Sequence, residues 1–354
     1  MPAVKTPSRA RTTAQTPARP RPRSRTRSAA PTQARGRTVA ETQARAVPVQ
    51  PEWPAPGSIL APEQRAKLSK TARELVPRED HAQLALAPDR DPVDLLELQG
   101  RARLPELVPV RYGRMLASPF AYYRGAALPM AWDLASTPVT DLKVQACGDA
   151  HMANFGVFGT PERRLVFDIN DFDETLPGPW EWDVKRLAAS LEVAARENGF
   201  AKKDRRKVVL AAVGRYRDAM QGFAGMTNMD VWYSHADLDV LRVELESALT
   251  ARMRKAVTKG LAKARTRDSM QALDKLTRSV DGQPRIISDP PLVVPLSELA
   301  AERGEQAAQI EPLLRNLLVA YRRTLREDSA KLLGRYVLAD IARKVVGVGS
   351  VGTR

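Results

Sequence analysis

The sequence of 354 residues is poor in cysteine and histidine, and each shortage excludes a class of protein. Because Cys147 is the only cysteine, no intrachain disulfide bond can form, and this usage favours a reducing compartment. Histidine occurs only at positions 81, 151 and 235. A structural zinc site needs four ligands, so these side chains cannot complete one unless carboxylates contribute. We therefore expect a cytoplasmic protein without disulfide bonds.

Long apolar runs and aromatic residues are also scarce. No stretch is long and apolar enough to cross a membrane, and no apolar segment typical of secretory signals follows the N-terminal arginines. The sequence thus predicts no membrane partner. Aromatic residues make up only 5% of the chain, but 43% of the residues are hydrophobic, which suffices for one large or two modest globular units.

Acidic residues are nearly absent from the first 50 positions, which hold eleven basic residues and only Glu41 as an acid. The remaining chain contains 45 basic and 40 acidic residues, so most of the net charge of +15 belongs to this tail. Residues 1–54 are rich in Arg and Pro without apolar periodicity, which predicts a disordered tail before a folded domain over residues 55–354. Such a tail either binds polyanions non-specifically or acts only as a solubilising linker.

Two short polar segments, residues 146–154 and 166–174, indicate phosphoryl transfer. This chemistry needs one carboxylate to accept the proton of the acceptor hydroxyl, and an amide and a second carboxylate to hold Mg²⁺ against the nucleotide phosphates. Asp149, Asn154 and Asp171 can supply these groups in that order. The interval from Asp149 to Asn154 is that of a kinase catalytic loop. We therefore expect Mg²⁺ and ATP as cofactors.

Both polar segments follow short apolar stretches, residues 143–147 and 165–169, that the residue types predict to be strands. A strand period of two places Asp171 on the same face as Phe167 and Ile169. A carboxylate that continues an apolar face is costly unless a metal or another cation neutralises it. We therefore expect Asp171, together with Asp173 and Asn154, to bind the metal.

The two polar segments also allow other interpretations. An EF-hand calcium loop starting at Asp168 needs an Asx, a Gly and a Glu where the chain has Phe172, Asp173 and Pro179, so that site is excluded. A solvated turn with capping side chains remains the plain alternative. His151 is either a catalytic group or a side chain that only orients Asp149.

Arg124 is a further catalytic candidate because it follows two tyrosines, Tyr122 and Tyr123. A guanidinium beside aromatic rings can clamp a phosphate, although a structural salt bridge is at least as common at such a position. The sequence does not decide between these two roles.

Three glycines near the end of the chain, Gly347, Gly349 and Gly352, are the cofactor-binding candidates. Glycines at this spacing allow backbone N–H groups to approach phosphates, and residues 344–346 before them are predicted to form a strand. A single pattern of this kind is a weak signal, and a Gly-rich turn is an equal alternative.

The rest of the folded domain has mainly helical periodicity. An amphipathic pattern predicts helices over residues 62–75, 92–104, 110–116, 182–198, 202–223, 236–259, 262–278, 305–326 and 329–342, with a proline-rich break over residues 283–295. The basic helical stretch near residues 242–265 could bind nucleic acid, but an ordinary solvated helix is the more common interpretation of such a pattern.

Several motifs together resemble the bacterial family called domain of unknown function 2252. The resemblance covers roughly residues 60–354 and names no established activity. It is carried by Ser118-Pro119-Phe120-Ala121-Tyr122-Tyr123-Arg124-Gly125, by Gly148-Asp149-Ala150-His151 with Asn154-Phe155-Gly156, by Asn170-Asp171-Phe172-Asp173-Glu174-Thr175, and by the terminal segment from Val346 to Arg354.

A second, more distant resemblance covers about residues 143–190. Gly148-Asp149-Ala150-His151 is similar to the catalytic loop of aminoglycoside and choline phosphotransferases, and Asp171-Phe172-Asp173 stands where those proteins carry a metal-binding Asp-Phe motif. This resemblance implies a protein-kinase-like α+β fold whose short strands carry the catalytic loops and whose C-lobe is mostly helical. It also implies that Asp183 braces the catalytic loop from the start of a helix.

The chain departs from the phosphotransferase pattern in one important respect. No Gly-rich loop and strand lysine precede Asp149, so we expect the nucleotide lobe to be incomplete or permuted to the C-terminal side, or the chain to be truncated after Arg354. The acceptor is then an unknown small-molecule or protein hydroxyl. The alternative function is a catalytically silent kinase-like scaffold or a nucleic-acid-associated binding protein.

Overall fold

The computed structural model describes residues 60–84, 86–247, 249–266, 269–303 and 310–353. The predicted tail, residues 1–54, lies outside these ranges, so its disorder and its polyanion binding stay predictions. Within the described ranges helices predominate, and the strands are short and antiparallel. This arrangement confirms the predicted α+β class. No helix in this part of the chain is long and apolar enough to span a bilayer.

The elements follow one another along the chain with short connections. The helices are α1 Pro62–Leu75, α2 Pro92–Gly100, α3 Val108–Met115, α4 Pro119–Gly125, α5 Ala127–Leu134, α6 Trp180–Glu197, α7 Lys202–Ala224, α8 Asn228–Tyr233, α9 Leu238–Leu245, α10 Ala251–Arg265, α11 Ser269–Leu276, α12 Leu296–Arg303, α13 Ile310–Thr324 and α14 Glu327–Leu333. The strands are β1 Lys143–Ala146, β2 Phe155–Gly159, β3 Leu165–Ile169, β4 Leu176–Pro179, β5 Ala236–Asp237, β6 Thr277–Val280, β7 Gln283–Ile286, β8 Val293–Pro295 and β9 Ala342–Lys344. Short 3-10 turns cover Arg78–Ala82, Pro105–Leu107 and Met152–Asn154.

Helix starts agree with the capping chemistry of the sequence. Ser118 accepts a hydrogen bond from the backbone N–H of Ala121, and Pro119 occupies the first helical position of α4. The first turn of α6 contains Glu181 and Asp183, whose negative charge suits the positive end of a helix dipole. Helix α6 therefore begins just before the residue that was predicted to brace the catalytic loop.

Four predicted helices and the proline-rich break need correction. The helix predicted over residues 92–104 ends at Gly100, and the one predicted over residues 262–278 gives way to β6 at Thr277. The helix predicted over residues 236–259 is interrupted, because Asp237 caps α9 and Thr250 caps α10. The helix predicted over residues 329–342 ends at Leu333, where Gly334 follows as the C-terminal cap. Residues 283–295 are not simply a break, because they contain β7 and β8.

Four strands bring the two polar segments together. Strand β1 precedes the first segment and pairs with β4, which follows the second, so that Ala146 lies opposite Leu176. Strand β2 follows the first segment and pairs with β3, which contains the start of the second, so that Phe155 lies opposite Ile169. Each segment is thus closed at both ends by a strand pair shared with the other. The topology alone makes the two segments neighbours.

The core joins the helices before these strands to the C-terminal segment. Leu96 of α2 and Met115 of α3 pack with Val348, and Leu107 packs with Val345 and Val351. Val351 is 1% exposed. The glycine-containing segment of residues 345–352 is therefore part of the core.

Candidate functional site

Asp183 holds the loop that carries Asp149. Its two carboxylate oxygens accept hydrogen bonds from the backbone N–H groups of Cys147 and Gly148, at 2.6 and 3.0 Å. This is the bracing contact that the sequence predicted. Gly148 has φ +80°, and a Cβ there would lie 2.2 Å from the carbonyl oxygen of Glu174, so the position requires glycine.

Arg186 and Ser190, on the same face of α6 as Asp183, also bind this loop. Arg186 donates from Nε to Oδ1 of Asp149 at 2.6 Å, and its Nη2 contacts the same oxygen. Ser190 accepts a hydrogen bond from the backbone N–H of Met152 at 2.9 Å. Positions 183, 186 and 190 are three and four residues apart and so face one side of a helix. The sequence interpretation missed Arg186 and Ser190, although this spacing of polar residues was a usable signal.

Arg186 is itself fixed by Tyr123. The guanidinium carbon lies 4.7 Å from the centre of the Tyr123 ring, and Nη2 donates to the Tyr123 carbonyl at 3.1 Å. The Tyr123 hydroxyl donates to the backbone carbonyl of Arg186 at 2.8 Å. Burial raises the pKa of Tyr123 to about 12, so the phenol stays a neutral donor at physiological pH.

His151 lies beside Asp149 but does not make a hydrogen bond to it. The distance from Nε2 to Oδ2 of Asp149 is 3.6 Å, longer than an ordinary hydrogen bond. Burial lowers the pKa of His151 below its usual 6.5, against the opposing effect of the Asp149 carboxylate. Its Nδ1 is buried and finds no partner among the described residues. His151 is thus a neutral neighbour of Asp149.

Asn154 links the two polar segments. Its side chain is buried, and Nδ2 donates to the carbonyl of Asp149 at 3.0 Å and to the carbonyl of Asp171 at 2.6 Å. Because only the amide nitrogen can donate to two carbonyl oxygens, the orientation of the amide is fixed. Its Oδ1 accepts no hydrogen bond from any residue that the structure describes. An amide oxygen is therefore left available at the junction of the segments.

Asp171 and Asp173 present exposed side chains. Oδ1 of Asp171 accepts the backbone N–H of Asp173 at 3.2 Å. The cost expected for a carboxylate that continues this apolar face does not arise, because Phe167 is 43% exposed even though it stacks on Phe155. Strand β3 lies in a three-stranded sheet at the surface, so Asp171 is not a buried charge. The Asp171 carboxylate is accessible to an ion because its side chain is exposed to solvent.

Glu174 adds to the negative charge of this region. Desolvation raises the pKa of its carboxyl group, and the neighbouring Asp149 carboxylate raises it further. Glu174 is therefore a carboxyl group close to Asp149 that is more readily protonated than a free one.

The donor set fits magnesium better than zinc or calcium. In the described ranges, no group of three or more His, Cys, Asp or Glu side chains is placed to hold a metal ion. Magnesium is usually bound by one or two carboxylates, several waters and the phosphates of the substrate, not by an all-protein cage. Among the described residues, the amide oxygen of Asn154 and the exposed carboxylate of Asp171 are the groups that could hold such an ion.

Arg124 behaves unlike Arg186. None of the ion pairs in the described chain involves it, and its Nε is buried without a hydrogen-bond partner among those residues. Its positive charge contributes to lowering the pKa of His151, whose main cause is burial. The structure thus does not show the salt bridge that was the alternative role for Arg124.

The glycine segment passes directly over Asp149. A Cβ added to Gly349 would lie 3.1 Å from the Arg124 carbonyl oxygen and 4.0 Å from Oδ2 of Asp149. Of the three candidate glycines, only Gly349 is placed this way. The structure therefore brings Gly349, Arg124 and Asp149 together.

The other two glycines anchor the segment. Gly347 and Gly352 have φ of +66° and +77°. Their carbonyl oxygens accept hydrogen bonds from Nη1 of Arg114 at 2.6 Å and from the N–H of Leu104 at 2.8 Å. By contrast, the backbone N–H groups of residues 346–352 donate to no group in the described ranges. The preceding strand is β9, two residues earlier than predicted.

A separate groove of about 590 Å³ lies at the C-terminal end of α7. Its lining includes Met220, Phe223 and Trp232, and none of its lining residues belongs to the two polar segments. Because its lining lies outside both segments, this groove is not part of the candidate site around Asp149.

Comparisons with known proteins add a family but no activity. The model of a family described as "Uncharacterized protein conserved in bacteria (DUF2252)" matches residues 103–354. No curated protein and no solved structure matches the chain.

Proposed function

The chain belongs to this family of uncharacterised bacterial proteins, and we propose that it is an ATP- and Mg²⁺-dependent phosphotransferase with a hydroxyl acceptor. The observation that carries the proposal is the bridging position of Asn154. Its amide nitrogen ties the carbonyls of Asp149 and Asp171 together, and its amide oxygen is left for a metal. The proposal includes a protein-kinase-like arrangement of these loops.

Asp149 is proposed as the base that accepts the proton of the acceptor hydroxyl. One of its oxygens is occupied by Arg186, and among the residues that the structure describes Oδ2 has no hydrogen-bond donor closer than His151 at 3.6 Å. A general base needs one free oxygen within hydrogen-bond reach of the proton that it accepts. Oδ2 meets that requirement.

Asn154 and Asp171, with Asp173 beside them, are the residues that would hold Mg²⁺. The bound ion would neutralise the charge of the nucleotide phosphates and orient the transferred group. The protein residues contribute the positions of the ligands, because Asn154 is fixed by two hydrogen bonds before any ion binds.

Arg124 and the glycine segment are proposed to contact the nucleotide phosphates. Arg124 has no ion pair with a described carboxylate, and the N–H groups of residues 346–352 have no acceptor within the described ranges. Backbone N–H groups and an arginine side chain are the usual protein donors to phosphate oxygens. Gly349 supports this role because its backbone lies next to both Arg124 and Asp149.

A second function is favoured by one specific contact. Arg186 and Asp149 form a nearly buried ion pair, which would suit a kinase-like scaffold that has lost activity. In that case the pair would only stabilise the fold, and Mg²⁺ with ATP would not bind.

Calorimetric titration of ATP, with and without Mg²⁺, separates these functions. We expect the parent protein to bind ATP only with Mg²⁺. Asp149→Asn should keep this binding but lower ADP formation by roughly 10² to 10⁴-fold, because a base acts on the proton in the transition state. Asp171→Ala should abolish the metal-dependent binding.

Asp168→Ala is the matched control for Asp171→Ala. Asp168 is an exposed residue of β3, three positions before Asp171, and its Oδ1 accepts a hydrogen bond from the neighbouring backbone N–H of Ile169. This variant should bind like the parent. A parent protein that binds no ATP in the presence of Mg²⁺ would exclude the phosphotransferase and leave the scaffold.

A further inference from the structure

We propose that Arg186 is a positioning residue that fixes Asp149 so that Oδ2, and not Oδ1, accepts the proton. The inference rests on the proposed phosphotransferase activity and adds a residue to it. Arg186 does not touch the reacting atoms. It acts on them through the carboxylate of Asp149.

The geometry of the ion pair is the first observation. Nε and Nη2 of Arg186 both contact Oδ1 of Asp149. Since both donors are on one oxygen, the carboxylate cannot rotate freely, and Oδ2 is left towards His151 and Gly349. The pairing therefore distinguishes two oxygens that are chemically equal in a free carboxylate.

A second ion pair in the same protein shows the ordinary structural geometry. Arg90 places Nε on Oδ1 of Asp133 and Nη2 on Oδ2 at 2.8 Å. Such a parallel pair of hydrogen bonds satisfies both oxygens and is the common structural form. Arg217 and Arg315 also place Nε and Nη2 on a single carboxylate oxygen, but those pairs are exposed. The pair of Arg186 and Asp149 differs from them because it is nearly buried, and from the Arg90 pair because it leaves one oxygen free.

The rigidity of Arg186 is the third observation. It is 2% exposed, and three contacts with Tyr123 hold it. Its Nη1 also lies 3.4 Å from the sulfur of Met130. A side chain that is held on every side can set the direction of its partner, which is what a positioning residue must do.

The test compares Arg186→Met and Arg186→Lys with the control Arg90→Met. The probe is ATP with Mg²⁺, and the readouts are its calorimetric Kd and the kcat of ADP formation with water as acceptor. Arg186→Met should lower kcat by about 10²-fold, because a misplaced catalytic group costs about that much, while the Kd stays within about twofold. Arg186→Lys should recover part of kcat. Arg90→Met should keep kcat.

Chemical rescue distinguishes positioning from general support of the fold. Millimolar guanidine added to Arg186→Ala should restore part of kcat, whereas the same concentration of sodium chloride should not. If Arg186→Met does not fold, Arg186→Lys carries the test, with an expected loss of about tenfold at unchanged Kd.

Unchanged or higher kcat in a folded Arg186 variant would overturn the inference, and a higher kcat would mean that Arg186 masks Asp149. The proposed function fails in a different way, since the parent protein itself would then bind no ATP and form no ADP. Comparing parent and variant therefore tells the two failures apart.

Discussion

The two polar segments of the site are held in very different ways. The segment around Asp149 is fixed by three side chains of α6, namely Asp183, Arg186 and Ser190. The segment around Asp171 is tied mainly through its backbone, and the carboxylates of Asp171 and Asp173 remain exposed. One segment is rigid in its side chains, and the other keeps them free.

This difference matches the two tasks that phosphoryl transfer sets. A base must already be in place when the substrate arrives, because reorientation in the transition state costs rate. Metal ligands can adjust, since Mg²⁺ arrives with waters and completes its octahedral shell with phosphate oxygens. Under the proposed function, the fold would give rigidity to the base Asp149 and freedom to the metal ligands Asp171 and Asp173.

Among these predictions, the substitution of Asp183 should change the free energy of unfolding most. Asp183→Ala leaves the N–H groups of Cys147 and Gly148 without their charged acceptor, and we expect a loss of about 3 kcal/mol in unfolding free energy. Asp173→Ala in the free segment should change stability by less than about 0.5 kcal/mol. Urea unfolding of both variants measures the difference. Equal losses would show that the two segments are held alike.

A methyl group at Gly349 should have a smaller effect. Gly349→Ala places a Cβ 3.1 Å from the Arg124 carbonyl, so the rigid side of the site has to move slightly. We expect a loss of about 1 kcal/mol by urea unfolding, with weaker binding of ATP and Mg²⁺. Gly159→Ala is the control, because nothing lies within 4 Å of its added Cβ. A stable Gly349→Ala protein with parental affinity would remove the glycine segment from the site.

Protonation of His151 should have the smallest effect. Its pKa is lowered in the folded state, so the unfolded chain binds the proton more readily, and stability falls as the pH drops below the usual value of 6.5. The slope from this residue is at most about 1.4 kcal/mol per pH unit. Urea unfolding of the parent and of His151→Gln at about pH 7.5 and 5.5 measures it. We expect a shallower pH dependence in the variant, and identical curves would contradict the lowered pKa.

The sequence predicted the residues of the site better than their support. The interval between Asp149 and Asn154 pointed to these two residues, the resemblance to phosphotransferases pointed to Asp183, and the structure brings the three residues together. Arg186 and Ser190 were missed because their role depends on the register of α6 against a loop more than 30 residues earlier. The spacing of positions 183, 186 and 190 shows that they share one face of a helix, but it does not show which loop that face meets.

The errors in the fold predicted from the sequence have a similar cause. The apolar alternation of Phe167 and Ile169 predicts a cost for the Asp171 carboxylate, but the three-stranded sheet leaves Phe167 43% exposed, so that cost does not arise. Periodic residues from 236 to 259 suggested one helix, yet the caps Asp237 and Thr250 each start a separate helix. Whether a residue is buried, and where a helix is interrupted, depends on the neighbouring elements. A pattern within one segment does not specify those neighbours.

The most direct test of the account is a crystal structure with Mg²⁺ and a non-hydrolysable ATP analogue. The central claim is that both polar segments form one site for Mg²⁺ and nucleotide beside Asp149. We predict an ion at about 2.0 to 2.1 Å from Oδ1 of Asn154 and from the carboxylate of Asp171, with Oδ2 of Asp149 still free of the metal. A nucleotide bound away from these residues, or an ion that Asn154 does not contact, would contradict the claim.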